Sequence, residues 1–375
     1  MSGTGVTRGA AVWTLANRLG VVAGTPAELL SALLAGPPRT VRVDLAPDDD
    51  LVHALRALGH LDVVATGPPP SPAPCSPQNL DDPAAVCAAD PLSVTEAYES
   101  GTDPHGGLRA AWLRAGQALI RDGQTPAGRA LVLLTALDDT ADPRLAPALA
   151  ESAAGQPWHL AWSRRTPGTA LTTTPDGRLV VADEPRATAV ACLPDGTRLA
   201  LDERGRLHTR GGQPTRLTEA VTATLARHPA TALATAGPTV LTGDRMGTVH
   251  AFGLGGVDQA ALHPGRVTAL AASASTAYSG GTDGTVRAWR PRRAPARRPV
   301  AARPHPVVAL HAADRFLAVA WADGLAELHG LGTRRVLRFR PGPRIRAVAV
   351  TGDGSLVVGL DDVLLCLAQA ERSCG

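Results

Sequence analysis

Whatever chemistry this chain performs must be done without lysine. All 37 of its basic residues are arginine. That rules out a phosphate-loop lysine, a Schiff-base amine and a pyridoxal anchor. The remaining candidates for chemistry are 11 histidines, 5 cysteines and several acidic pairs. His228, His263 and His305 each precede a proline at similar intervals. Similar intervals indicate position in a repeat rather than one shared metal site, and no metal is expected. Cys75, Cys87, Cys192, Cys366 and Cys374 are odd in number and lack any CxxC spacing, so neither a disulfide framework nor a zinc site is expected. Cys192 lies on an expected strand and reads as a small buried hydrophobe. No serine sits in GxSxG. Asp48, Asp49 and Asp50 precede an apolar periodic segment and read as the acidic start of a helix. No catalytic residue and no cofactor is expected.

The strongest concentration of charge is "RPRRAPARRP", where Arg290, Arg292, Arg293, Arg297 and Arg298 alternate with three prolines. Proline interrupts a central strand, so this stretch reads as an outer loop or edge strand. It is the candidate docking patch for a protein partner carrying acidic residues. Nucleic acid is the alternative partner for so basic a stretch. The few aromatics nearby occupy expected core positions, however, and no stacking platform is evident. Charge is also divided along the chain. Residues 1–150 carry 10 Arg against 16 acids, a net −6, and residues 151–375 carry 27 Arg against 18 acids, a net +9. That asymmetry suggests two domains.

The elements that hold the arginine stretch repeat. Aligned on Gly284 of "SGGTDGTVRAWRP", other segments place Gly168, Gly205, Gly247, Gly324 and Asp362 at the same point, with spacings of 37, 42, 37, 40 and 38 residues. Short alternating strands such as "RVTALAA", "TAYSG" and "TVRAWR" lie between turn residues, including "PDG" at 175–177 and 194–196 and "GDG" at 352–354. A period near 40 with this texture predicts four-stranded propeller blades. About six are counted over residues 156–370. The fold class is therefore mainly β, a propeller preceded by an α/β and helical region.

The segment "LHPGRVTALAASASTAYSGGTDGTVRAWRP" resembles the WD-repeat (WD40) family. His263, Ser279, Asp283 and Trp289 match the His, Ser/Thr, Asp and Trp that in that family form a hydrogen-bonded network. Leu262 stands where the family has Gly, and Arg290 where it has the Asp after Trp. Phe252, Thr242 and Met246 in the preceding repeat, and Asp323 and His329 in the following one, match less well. Those blades are expected to rely on apolar packing.

Upstream, "TPAELLSALLAG" reads as a helix with a Thr25–Glu28 capping box and Pro26 in its first turn. "RTVRVDLAP" reads as a strand, "DDLVHALRALGH" as a helix and "LDVVATG" as a second strand. This order suggests an α/β piece with a parallel sheet over residues 1–67. "PPPSPAPCSPQ" at 68–78 reads as a linker. Residues 79–155 read as helical, with a Ser93–Glu96 capping box and an amphipathic face of Leu108, Ala111, Trp112, Ala115 and Leu119. The α/β piece resembles the NTPase-linked region of actinobacterial NTPase–WD-repeat fusion proteins, with "TVRVDL" where those carry a magnesium-site strand. No GxxxxGK[ST] is present, so the piece is either a degenerate remnant or follows a phosphate loop that has been lost.

No apolar run is long enough for a signal peptide or a membrane span, and the expected location is the cytoplasm. The function expected is a non-enzymatic interaction scaffold. The alternatives are a degenerate or regulatory NTPase-type signalling protein and nucleic-acid binding through the basic half.

Overall fold

The computed structural model describes residues 7–34, 39–46, 49–67, 79–183 and 186–370. The expected linker at 68–78 lies outside the described residues. The chain divides into two compact units, residues 1–159 with 340–344, and residues 160–339 with 345–375.

In the first unit, strands Arg39–Val43 and Leu61–Ala65 pair in parallel, with Arg39 opposite Leu61, and helix Asp50–Arg56 connects them. One face of this small sheet packs Val41, Val43, Leu61 and Val63 against helices Arg8–Leu19, Pro26–Leu34 and Asp50–Arg56. The opposite face carries Thr40, Arg42, Asp62 and Val64, which matches the period of two in the strand sequence. Asp49 caps its helix by accepting the Leu51 N–H at 2.8 Å. Thr25 Oγ1 accepts the Glu28 N–H, and Glu28 reaches back to Gly24 N. The Ser93–Glu96 box is not the cap of its helix. The helix begins at Pro91, and Asp90 accepts the Ser93 N–H at 2.8 Å. A helix of Pro91–Ser100 thus starts a turn earlier than Ser93 implied, because Pro91 suits its first turn. Helix Leu108–Leu119 buries the expected face, and Trp112 donates its indole N–H to Thr95.

The second unit is a ring of antiparallel sheets with five blades rather than six. The first blade is Ala187–Cys192, Arg198–Asp202 and Leu207–Arg210. The second is Ala232–Ala236, Thr239–Gly243, Thr248–Gly253 and Gly256–Ala261. The third is Val267–Ser273, Thr276–Gly281, Thr285–Trp289 and Ala301–Ala302. The fourth is Val307–Ala313, Phe316–Trp321, Ala326–Gly330 and Val336–Phe339. The fifth joins Ala347–Val350, Leu356–Gly359 and Leu364–Gln369 to Trp158–Arg164. The repeat around Gly168 forms only the ribbon Leu171–Thr173 with Leu179–Val181, set between the fifth and first blades. It has no third strand of its own, and the strand that precedes it completes the fifth blade. In the first blade, helix Arg216–Arg227 follows the third strand. Leu217, Val221 and Leu225 place an apolar stripe at i, i+4, i+8 against the cluster of Leu199, Leu201 and Leu233. The strand-based repeat pattern has no place for this helix.

The landmark glycines take positive φ, 77° at Gly205, 92° at Gly247 and 71° at Gly284. Each carbonyl accepts from the start of the next blade: Ala230 N to Gly205 O at 3.0 Å, His263 N to Gly247 O at 3.1 Å, and Arg303 N to Gly284 O at 2.9 Å. The period near 40 is thus the period of blade-to-blade contact.

Candidate functional site

In the third blade, His263 comes from the loop entering the first strand, Ser279 from the second strand and Asp283 from the following turn. His263 Nδ1 lies 3.0 Å from Asp283 Oδ1, and its Nε2 lies 2.9 Å from Ser279 Oγ. A carboxylate can only accept, so Nδ1 carries the proton and Nε2 accepts from the serine hydroxyl. Burial holds His263 below the ordinary imidazole value, against the opposing pull of Asp283. Burial alone would raise the Asp283 carboxyl. Hydrogen bonds from the Thr285 hydroxyl and N–H and from His263 outweigh it and hold the group low. Thr285, two residues past Asp283, is thus a further member that the sequence pattern did not single out. Trp289 is not bonded to this group. Its indole N–H donates to the Arg293 carbonyl at 3.0 Å, inside the arginine stretch. Ser279→Ala would leave the buried Nε2 without a donor. It is expected to cost about 1–2 kcal/mol, read as a lower denaturant midpoint at unchanged m-value. An unchanged midpoint would show that the pair carries no stability.

The neighbouring blades do not rely on apolar packing alone. In the second, Asp244 accepts the Met246 and Thr248 N–H groups and lies 3.2 Å from His250 Nε2. In the first, Asp202 and His208 form the same arrangement at 3.0 Å. The carboxylate sits three residues before the landmark glycine rather than one, which is why Met246 occupies the aspartate position in the alignment. The pattern is present in the sequence as "DERGRLH" and "DRMGTVH". In the fourth blade, Arg303 stands four residues before Val307, as His263 stands before Val267, and its Nη2 lies 2.8 Å from the fully buried Asp323 carboxylate. Glu327 there accepts from Trp321, His329 and Arg338 at 3.0–3.1 Å. Burial would raise Glu327, but these donors bring it down to about 2.

The arginine stretch leaves the third strand of the third blade at Trp289. Pro291, Pro295 and Pro299 lack the N–H that a ladder needs, and the outermost strand is reduced to Ala301–Ala302. Residues 292–299 are all exposed. Arg293 N closes a turn onto Arg290 O at 3.0 Å. Arg290 Nε donates to Thr276 Oγ1 at 3.2 Å, and Arg292 Nε lies 3.5 Å from Asp258 of the second blade. Among the described residues, no carboxylate pairs with Arg293, Arg297 or Arg298.

The inner strands enclose a channel of about 560 Å³, walled largely by alanine and threonine. His311 lies on its wall. Its Nδ1 accepts the Val350 N–H at 3.1 Å, and burial lowers its pKa to about 4. Cys192 is buried, and so are Cys87 and Cys366, all as free thiols.

In the first unit, Asp44 at the end of "TVRVD" lies 2.6 Å from Arg18 Nη1 and accepts from Thr66 Oγ1 at 3.0 Å. Its carboxylate is thus engaged by protein groups. Among the described residues, one cluster brings three metal-type ligand atoms together, Asp81, Asp103 and His105. There His105 Nδ1 lies 2.9 Å from Asp81 and 3.9 Å from Asp103, so its Nδ1 is already occupied by a hydrogen bond to the Asp81 carboxylate. No described helix is long and apolar enough to cross a membrane.

The fold and this site define a β-propeller. No family model matches the chain, and no curated protein does. Among solved structures it is similar to the computationally designed Ika8 protein, at 19% identity over 54% of this chain and 70% of that one, with a TM-score of 0.38. It is similar to the designed Ika4 protein at 22% identity over 39% and 93% of the two chains, with a TM-score of 0.33. A chain of the mitotic checkpoint complex matches at 14% identity over 56% and 92%, with a TM-score of 0.36.

Proposed function

We propose that this chain is a WD-repeat-type scaffold of the reducing cytoplasm, and that it binds an acidic segment of a partner protein through Arg290, Arg292, Arg293, Arg297 and Arg298. The observation that carries the reading is the arginine loop itself. Three guanidinium groups are presented to solvent without a carboxylate, on a loop anchored by the Trp289–Arg293 bond. Unpaired surface charge of one sign steers and selects a partner of the other. Three buried free thiols suit a reducing compartment. The NTPase-type reading gains no support from Asp44, which is engaged by Arg18 and Thr66.

The test is capture from lysate with the tagged full chain, with and without nuclease, beside the variant carrying Arg292→Ala, Arg293→Ala, Arg297→Ala and Arg298→Ala. A discrete protein that survives nuclease and is lost with the variant is the expected result. Recovery of nucleic acid alone would replace this reading with nucleic-acid binding.

A further inference from the structure

The tip of the second blade's outer hairpin lies beside the arginine loop. This tip is "GLGG", Gly253 to Gly256, in which Leu254 and Gly255 make the turn and Gly256 opens the next strand at φ 121°. Three of its four residues are glycine, and the fourth is Leu254, exposed to 90% of its surface. Val257, the second residue of that strand, is 57% exposed. Turns are ordinarily polar, and glycine needs no leucine beside it. The fourth blade offers a comparison within the same ring. Its corresponding turn begins "GLGTRR", but there Leu331 packs against the cluster of Tyr278 and Leu317. The second blade leaves its leucine outside.

The two features are physically joined. Arg292 Nη2 stands where a Cβ on Gly255 would come within 3.0 Å, and Arg292 Nε pairs with Asp258 one residue past Val257. Leu254 and the arginines therefore form one surface drawn from two blades, apolar at one end and cationic at the other, whereas Val257, the neighbour of Asp258 on the strand, faces the other side of the sheet.

We infer that this surface takes an acidic segment of another protein that carries a large aliphatic or aromatic side chain beside its carboxylates. The inference rests on the docking reading above and narrows it. The arginines fix the sign of the segment, since Asp258 pairs with Arg292 and, among the described residues, no carboxylate pairs with Arg293, Arg297 or Arg298. Leu254 requires something apolar to remove it from water, which arginine–carboxylate pairing alone would not do.

The probes are two short fluorescein-labelled peptides, a glutamate-rich one with a central leucine and its twin with serine in place of the leucine, and an oligothymidylate of matching charge. Anisotropy is measured against the full chain, the arginine variant above, and the variant Leu254→Ser. The Leu254 side chain is solvent-facing, so this variant should melt with the parent. The parent is expected to bind the leucine peptide about tenfold more tightly than the serine peptide. The Leu254→Ser variant should bind both peptides alike, and the arginine variant neither. If the Leu254→Ser variant keeps the leucine preference, the apolar end of the surface is not used and the inference fails, while the arginine reading stands. If the arginine variant binds as the parent does, or the parent binds no peptide, both fail. Oligothymidylate binding tighter than either peptide also overturns both, in favour of nucleic acid.

Discussion

Gly247→Ala is expected to destabilise the propeller by roughly 3 kcal/mol or more, among the largest effects of any single methyl group in the ring. Two costs combine. At φ 92° an alanine is strained by its own backbone. The new Cβ would also stand 1.9 Å from the His263 carbonyl oxygen and 2.8 Å from that of Gly265. These are backbone atoms that cannot rotate away, and the His263 N–H is itself bonded to Gly247 O. The blade interface would have to open. Gly237→Ala separates the two costs. Its φ is 56°, but nothing lies within 4 Å of a Cβ there. It should lose about 1 kcal/mol. Equal losses in the two variants, measured by denaturant unfolding, would show that the close approach between blades carries no energy.

Acid should destabilise the ring well before its carboxylates protonate. His311 has an unfolded value of 6.5 and a folded value of about 4. Between these the unfolded chain holds the extra proton, so stability falls as pH drops from 6.5 and levels off below 4. The gap corresponds to about 3 kcal/mol. The geometry agrees, because protonating Nδ1 removes the acceptor of the Val350 N–H, a bond between the fourth and fifth blades. His263, also held low, acts in the same direction. Carboxylates such as Glu327, at about 2, contribute stability that is present above the ordinary carboxylate range and lost only at lower pH. The measurement is the unfolding midpoint across the acid range, from neutral pH down to the folded value of His311, for the parent and His311→Gln. The variant starts lower but should show a distinctly shallower decline. Parallel declines would remove His311 as the cause.

Much of the ring was legible because its repeat is enforced by backbone geometry. The landmark glycines recur where φ must be positive and where the next blade comes closest, so composition alone exposes the period. The blade count was less legible. Gly168 looks like a landmark, but the ribbon after it is too short to add a third strand. The strand before it belongs to a blade whose other members lie some two hundred residues later in the sequence. Periodicity along the chain does not reveal that exchange. The helix at 216–227 was missed because the surrounding strand pattern masked a stripe of Leu217, Val221 and Leu225. The histidine pairs of the first two blades were missed for a simpler reason. An alignment on the glycine that expects the carboxylate one residue before it cannot see one placed three before it.

The site divides in the same way. His263, Ser279 and Asp283 are local in type and spacing, and their bonding follows from the needs of a buried imidazole. Thr285 and the Trp289–Arg293 bond depend on how a proline-interrupted loop leaves the strand, which residue types do not specify. The neighbourhood of Leu254 and Arg292 depends on two blades lying side by side, and no linear pattern connects residues so placed. In the first unit, the parallel pair and its helix caps were legible from alternation and capping residues. The engagement of Asp44 by Arg18 was not, because Arg18 lies on a helix that the sequence pattern did not announce.

The strand Trp158–Arg164 that completes the fifth blade changes what kind of object the ring is. Beside it, Arg165 bonds Asp362 across 197 residues of chain, and Gly168 N bonds Leu360 O. Bringing the ends of such a span together costs about 5 kcal/mol of chain entropy, and that cost falls on one step. An open stack of repeats frays from its ends and can lose a terminal unit while the rest stays folded. A ring fastened by its first strand has no terminal unit to lose. Assembly must wait until the ring's last strands meet its first, and once fastened, each blade is held by neighbours on both sides. The ring should therefore open as a whole, with a single transition shared by residues nearly two hundred positions apart.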